Sequence, residues 1–288
     1  MPELPEVEVV KKSLEKEINN FTIKNVKIND GNLRYKVKKQ DINKIIGLRI
    51  IKIKRRSKYL IFFLSKSFVM IVHLGMTGKF FIVKKKKFKQ KTSFYYEIKN
   101  SSEKHDRIIF FLKKNIQLIY NDVRKFGFIK IIKLNKIKEI NHLKKLGPEP
   151  LGDFFNFKYF KNYLIGKNRK IKDLLMDQKF IAGLGNIYVN EILFLSRVKP
   201  NRIINKLKNQ EITKIIINTK KILKKAIILG GSSIKDFSNS SGKKGNFQQH
   251  FNVYGKEGLR CNNSGCIEKI KKIVISNRSS LFCSKCQK

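Results

Sequence analysis

The sequence predicts a multidomain α+β protein: a β-rich N-terminal domain led by a helix, a mostly helical second domain, and a small C-terminal unit built on four cysteines. Three observations carry this. Short runs of β-branched and aromatic residues recur between positions 48 and 120. After LGPEPLGDF, at 146–154, the apolar period becomes helical. All four cysteines lie beyond residue 260. At 288 residues, 41% of them hydrophobic, the chain can build two or three compact units with real cores.

The chain opens MPELPEVEVV. Val7, Val10, Leu14 and Ile18 recur at helical spacing, and Pro5 suits a first turn, where a missing N–H costs nothing. A helix is expected over about 5–19, with Pro2 and Glu3 just ahead of it. LRIIKIK (48–54), YLIFFL (59–64), FVMIVH (68–73), RIIFFL (107–112) and NIQLIY (115–120) read as strands. Their lengths suit a sandwich or a barrel-like pair of sheets. The lysine-rich KKKKFKQK (84–91) reads as a loop. The first domain is expected over 2–134, followed by a charged linker over 135–150. Helices near 171–180, from Asn186 and over 207–228 then fill a second domain over 151–240. A glycine-containing flexible loop is expected over 238–247, and the cysteine unit over 248–288.

Cys261 and Cys266 have four residues between them, Cys283 and Cys286 two, and the strand-like IKKIVI lies between the pairs. Two cysteine turns joined across a hairpin describe a four-thiolate zinc ribbon, with iron–sulfur or redox-active thiols as the alternatives. A unit of about thirty residues cannot bury enough surface alone, and a metal supplies the missing folding energy. One structural zinc ion is expected, with no open coordination position and no organic cofactor.

Charge points to the partner. Lys and Arg number 65 against 21 acidic residues, a formal net of +44. Drift in an AT-rich genome would raise lysine, but it would raise glutamate as well. A field of this sign favours a polyanion, with salt-sensitive binding. Nucleic acid is the first candidate, ahead of an anionic membrane or ribosome association. Apolar runs such as YLIFFL are strand-sized, too short to span a bilayer. No secretory signal is visible, since the first residues are acidic, so a cytoplasmic protein is expected.

Eight motifs then converge in order along nearly the whole chain. They are PELPEVE (2–8), RRSKYLIF (55–62), HLGMTG (73–78), NDVRKFG (121–127), LGPEPL (146–151), LMDQKFIAGLGNIYVNEILF (175–194), GGSSIKDF (230–237) and NRSSLFCSKCQ (277–287). Together they resemble the bacterial formamidopyrimidine-DNA glycosylase family. The resemblance implies an N-terminal β-sandwich with a leading helix, a helix–two-turn–helix domain and a C-terminal zinc ribbon. It implies a bifunctional DNA glycosylase and AP lyase of base excision repair, acting on oxidised purines in duplex DNA. Two departures, C-x4-C where many members have C-x2-C and NRSS where GRST is common, leave the four thiolates and the arginine in place.

The same resemblance implies roles for single residues. With Met1 removed, Pro2 carries the free amine that attacks the sugar; an α-amino group titrates near 8, well below lysine. From the residues alone Pro2 would be no more than a helix-leading proline. Glu3 resembles the catalytic acid/base, although an acid at a helix start also answers the helix dipole. Glu6 is read as shaping the site, and Glu8 as ordinary helix surface. Lys58 is implied as the lysine contacting the lesion nucleotide and its phosphate; otherwise it is a solvated edge charge. Met76, Arg124 and Phe126 are implied to fill the gap left by an everted base, His73, Asn186 and Arg278 to hold phosphates. For Met76 and Phe126 the ordinary alternative is core, for His73 a satisfied strand-end histidine, for Asn186 an N-cap, for Arg124 and Arg278 a solvated charge. The partner implied is double-stranded DNA with oxidised bases or abasic sites, with no membrane, and a monomer is expected in the bacterial cytoplasm, associated with the nucleoid. Two rivals remain: an endonuclease VIII-type glycosylase for oxidised pyrimidines, and a non-catalytic zinc-ribbon nucleic-acid-binding protein.

Overall fold

A computed structural model describes residues 1–84, 88–91 (backbone only), 103–232 and 246–288. The chain forms two compact units, one of Met1–Lys144 with Gly230–Asn246, the other of Lys145–Leu229 with Phe247–Lys288.

The first unit starts with helix α1 (Leu4–Ile18), which buries Leu4, Val7, Val10, Leu14 and Ile18 and keeps its lysines outward. Strand β1 (Ile23–Ile28) and a short helix α2 (Lys39–Asn43) follow. Among the described residues, eight further strands complete two antiparallel sheets: β2 (Ile50–Arg56), β3 (Tyr59–Leu64), β4 (Phe68–His73), β5 (Lys79–Lys84), β6 (Phe88–Lys91), β7 (Asp106–Leu112), β8 (Ile116–Asn121) and β9 (Phe128–Lys133). One sheet runs β1-β7-β8-β5-β6, the other β2-β3-β4-β9. Apolar side chains of both sheets, among them Phe62, Phe80, Phe110 and Tyr120, share one buried core with the apolar stripe of α1. This is a sandwich with a leading helix, settling the sandwich-or-barrel alternative.

Register places the functional loops. Tyr59 pairs with His73, and His73 with Phe128, so the end of β4 is flanked by aromatic residues on both sides. Lys79 pairs with Asn121, so the loop entering β5 (74–78) and the loop leaving β8 (122–127) emerge side by side.

Two expectations need correction. Residues 88–91, expected as loop, form β6, an edge strand paired with β5 through Phe81–Lys91 and Lys84–Phe88. Strand pairing uses backbone groups, and lysines are common edge guards, so composition misled. The stretch 135–150, expected as a linker, begins as packed structure: a 3₁₀ segment (Leu134–Glu139) and helix α3 (Asn141–Lys144) put Ile137, Ile140 and Leu143 against Ile61, Val69, Ile71 and Phe128.

The second unit contains α4 (Phe157–Leu164), α5 (Ile171–Met176), α6 (Asn186–Leu195) and α7 (Asn209–Ile228), then the hairpin of β10 (Ile270–Ile275) and β11 (Arg278–Cys283). Helix α5 stops at Met176 rather than near 180. The Gln178 side chain replaces helical bonding there, donating to the Met176 and Leu184 carbonyls and accepting from the Gly183 N–H. The loop expected over 238–247 lies outside the described residues except at its end, where buried Phe247 opens a short 3₁₀ turn. Among the described residues no helix is long and apolar enough to cross a membrane.

Candidate active site and nucleic-acid interface

The beginning of the chain is buried, against the usual fraying of termini. Pro2, Glu3 and Glu6 are all covered, while Met1 remains partly exposed. Glu6 Oε2 accepts the Glu3 N–H at 2.9 Å. Its other oxygen accepts the Ser232 N–H at 2.8 Å and the Ser232 hydroxyl at 2.9 Å. Gly231, at φ +81°, brings its backbone against this carboxylate; a Cβ there would stand 3.1 Å from Oε1. Glu6 therefore fixes the backbone at Glu3 and Ser232 together.

Lys58 lies in the turn between β2 and β3 and is buried, not a solvated edge charge. Arg55 Nη1 donates to the Ser57 carbonyl at 2.9 Å, and Arg55 Nε donates to Glu8 Oε2 at 2.7 Å. Glu8, expected as plain helix surface, is thus an ion-pair partner that links α1 to the turn bearing Lys58. The amine at this end of the chain, here that of Met1, is held below its ordinary value near 8. Burial is the main cause; Lys58 and Arg124 add to it, while Glu3 and Glu6 oppose it. One amine, two carboxylates and two cations are gathered in one small region.

The loops at 74–78 and 122–127 carry the next group. Met76 is 40% exposed and Phe126 44%, so neither belongs to the core. The Arg124 guanidinium lies over the Phe126 ring, 4.4 Å from its centroid, and its Nη1 lies 3.2 Å from the Met76 sulfur. Two devices hold these loops together. Gly75, at φ +59°, meets the other loop so closely that a Cβ would fall 2.5 Å from the Gly127 nitrogen. Buried Asp122 accepts from the Thr77 hydroxyl at 2.5 Å and the Gly127 N–H at 2.9 Å. The Thr77 hydroxyl oxygen in turn accepts the Arg124 N–H at 3.0 Å.

His73 closes β4, half-buried and stacked on Phe128. Its Nδ1 accepts the Gly75 N–H at 3.1 Å. That bond places the ring proton on Nε2. Burial, then Lys58, Arg34 and His142, lowers its pKa to about 4, so the ring is neutral near pH 7.

In the second unit Asn186 is the first residue of α6, preceded by Gly185. Its Nδ2 donates to the Ser279 carbonyl at 3.1 Å. Buried Lys172 donates to the same carbonyl at 2.7 Å and to the Ser280 hydroxyl at 2.7 Å. Asn190 reaches the same hairpin, accepting the Leu281 N–H at 2.8 Å. Exposed Arg278 is thus presented by a hairpin tip fastened to α5 and α6.

The Cys261, Cys266, Cys283 and Cys286 sulfurs all lie within 4.8 Å of one another, with pairs at 3.9 and 3.7 Å. Tetrahedral zinc with bonds of about 2.3 Å separates its sulfurs by roughly 3.8 Å. The four thiols can hold a metal ion, and the C-x4-C turn does not prevent it.

Residues 1–129 match the family model described as "Formamidopyrimidine-DNA glycosylase N-terminal domain", and residues 146–238 the one described as "Formamidopyrimidine-DNA glycosylase H2TH domain". The formamidopyrimidine-DNA glycosylase of Rickettsia bellii is 40% identical over 288 residues, covering all of both chains. This chain belongs to the formamidopyrimidine-DNA glycosylase family. The namesake from Rickettsia canadensis is 39% identical, over 100% of this chain and 99% of that one. A solved complex of Lactococcus lactis Fpg with DNA containing an abasic site is similar at TM-score 0.86 and 37% identity, covering 99% of each chain. A variant of that protein bound to Fapy-dG-containing DNA matches at TM-score 0.86 and 37% identity, covering 100% of each chain.

Membership makes the chain a DNA glycosylase of base excision repair. Sequence reasoning about this glycosylase passed over Asp122, Lys172, Gln178 and Glu191. Each is a polar residue inside a quoted motif or just before one. Glu191 is buried, with its carboxylate accepting the Asn252, Val253 and Tyr254 N–H groups and the Asn252 amide, so it anchors the chain leading into the cysteine hairpin. The available signal was a polar residue on an otherwise apolar helix, such as NE within IYVNEILF.

Proposed function

We propose that this glycosylase removes oxidised purines, 8-oxoguanine and ring-opened formamidopyrimidines, from duplex DNA through the secondary amine of Pro2, exposed once Met1 has been cleaved off. The observation that carries the reading is the gathering of Glu3, Glu6, Lys58 and Arg124 around the Met1 amine, whose pKa is lowered mainly by burial, with Pro2 buried next to it, so that its own amine, once freed, starts in the same covered region. A lower pKa leaves more amine unprotonated at neutral pH, ready to attack. The Pro2 nitrogen bonds to C1′ as the N-glycosidic bond breaks, and the proton the amine gives up neutralises the departing base; Glu3, as the acid, then protonates the sugar ring oxygen as the ring opens to the iminium. Proton loss from C2′, to the Glu3 carboxylate, then expels the 3′-phosphate, a second elimination with proton loss from C4′ expels the 5′-phosphate, and water hydrolyses the iminium, freeing the Pro2 amine and an unsaturated aldehyde. The strand is left with phosphates on both sides of a one-nucleoside gap.

The remaining residues act on the duplex. Lys58 meets the lesion phosphate as a compact cation. Met76, Arg124 and Phe126 fill the space the everted nucleotide vacates, with Arg124 donating to the orphaned base. His73 offers a neutral Nε2–H, and Asn186 and Arg278 hold phosphates, their geometry supported by Lys172. The four cysteines hold one structural zinc ion that stabilises the hairpin and takes no part in the reaction. The division of labour follows residues 2–134 for chemistry and 151–240 with 248–288 for grip, in a cytoplasmic monomer working on chromosomal DNA. The relatives bound to abasic and Fapy-dG DNA support this substrate class.

Borohydride trapping tests it. A duplex with 8-oxoguanine opposite cytosine should give a covalent adduct that peptide mass spectrometry places on Pro2. An oxidised-pyrimidine duplex should trap far less. Stronger trapping on the pyrimidine would move the enzyme to the endonuclease VIII type. Tight binding with no adduct, from protein lacking Met1, would leave a binding module only.

A further inference from the structure

A cavity of about 310 Å³ opens in the first unit beside β9, outside the set of residues assigned above to lesion chemistry. Tyr35, Phe128 and His142 supply its rings, and Lys36, Lys38 and Lys130 its charges. Phe128 is buried, at 3% exposure, while Tyr35 is 47% exposed. The Tyr35 ring meets Phe128 edge-on at 5.2 Å and His142 at 5.7 Å; Phe128 and His142 lie 5.2 Å apart. The Tyr35 hydroxyl and His142 Nε2 are 3.1 Å apart. Buried Phe128 and half-buried His142 therefore fix an aromatic ring that is itself open to solvent.

Charge narrows the choice of ligand. Asp41 is the one carboxylate lining the cavity, and its Oδ1 already accepts from Lys44 at 2.6 Å. Three lysines face that single, engaged acid. Lysine amines suit phosphate oxygens. Aromatic faces suit any nucleobase, because every base has a π-face. The volume lies at the small end of ligand pockets, the size class of a single nucleotide.

We propose that this cavity is a nucleotide site, taking a planar base against Tyr35 and His142 and its phosphate on Lys36, Lys38 and Lys130. The ligand is either a free mononucleotide or one unpaired nucleotide of a DNA strand, since both present the same base and phosphate. A paired base inside a duplex cannot enter. The site is independent of the Pro2 chemistry and stands whether or not that chemistry holds.

The full chain, with isotope-labelled histidines, is titrated with dAMP and followed by the ring signals of its four histidines. His142 should shift saturably. Tyr35→Leu should weaken the effect about tenfold, the scale of one base–aromatic stack, and Tyr35→Trp should restore it. A second arm compares a blunt duplex with one bearing a three-nucleotide overhang. Tighter binding of the overhang, lost in Tyr35→Leu, assigns the site to a DNA strand. No gain from the overhang, with dAMP still binding, assigns it to free nucleotide. The proposal is overturned if neither probe shifts His142 at millimolar concentration. It is overturned equally if inorganic phosphate alone reproduces the shift, or if Tyr35→Leu binds dAMP as the parent does.

Discussion

Asp122 lies fully inside the protein, yet it carries a carboxylate that accepts from Thr77, Gly127 and Tyr120. Such a group is tolerated because its donors replace water. Asp122→Ala strands those donors and frees both loops that bear Met76, Arg124 and Phe126. Urea unfolding should show a loss of about 2–4 kcal/mol, with Asp122→Asn costing less because one acceptor survives. His73 makes a prediction with a sign. Its folded pKa, about 4, lies below the ordinary 6.5, so between these values the unfolded chain binds more protons. Its contribution to stability is complete above about 6.5 and is lost as pH falls toward 4. Denaturant midpoints of parent and His73→Gln, followed from pH 7 to 4, should converge in that window. Between pH 7 and 8 this residue should leave duplex affinity unchanged, because the ring is already neutral.

At the scale of elements, the cysteine hairpin is where removing a metal should act. Chelation, or Cys266→Ser, should release β10 and β11, disengage Ser279 and Ser280 from Asn186 and Lys172, and so leave neighbouring Arg278 without a fixed position. Duplex affinity should fall roughly a hundredfold, as for two charge-assisted contacts at about 1.5 kcal/mol each. Hydrogen exchange should show the loss confined to 248–288, with β3–β4 pairs still protected. Unchanged affinity after chelation would remove the hairpin from the grip. The same elements show what was legible in advance. Strands β3 and β4 and the start of α6 were read to the residue, because their apolar runs are bounded by turn residues. Strand β6 was missed, because its pairing is made by backbone groups while its lysine-rich sequence reads as loop. The proposed site residues were visible only through their motifs, since Pro2 or Arg124 alone looks ordinary. The roles of Glu8 and Lys172 could not be read, because their partners lie 47 and 108 positions away; Glu191 showed only as a polar residue on an apolar helix, with nothing local to name its partner 62 positions on.

For the whole molecule, the net charge of +44 sets the response to salt. Neutralising six phosphates gives a slope of log affinity against log salt steeper than about −5, at roughly −0.9 per phosphate. Fluorescence anisotropy on lesion and undamaged duplexes should give nearly parallel lines, because the charge reads backbone and not bases. A shallow slope for both would make the excess lysine compositional. One further consequence follows from Glu6, which binds Ser232 across 226 positions. The first unit is discontinuous: its closing segment, from Gly230, is translated after all four helices that precede it in the second. The ribosome releases α1 early, yet both donors from Ser232 emerge only when most of the polypeptide has been made. During synthesis the sandwich can assemble around α1 while its Glu6 clasp stays open. The oldest residues of the nascent chain thus wait for a clasp made 226 positions later.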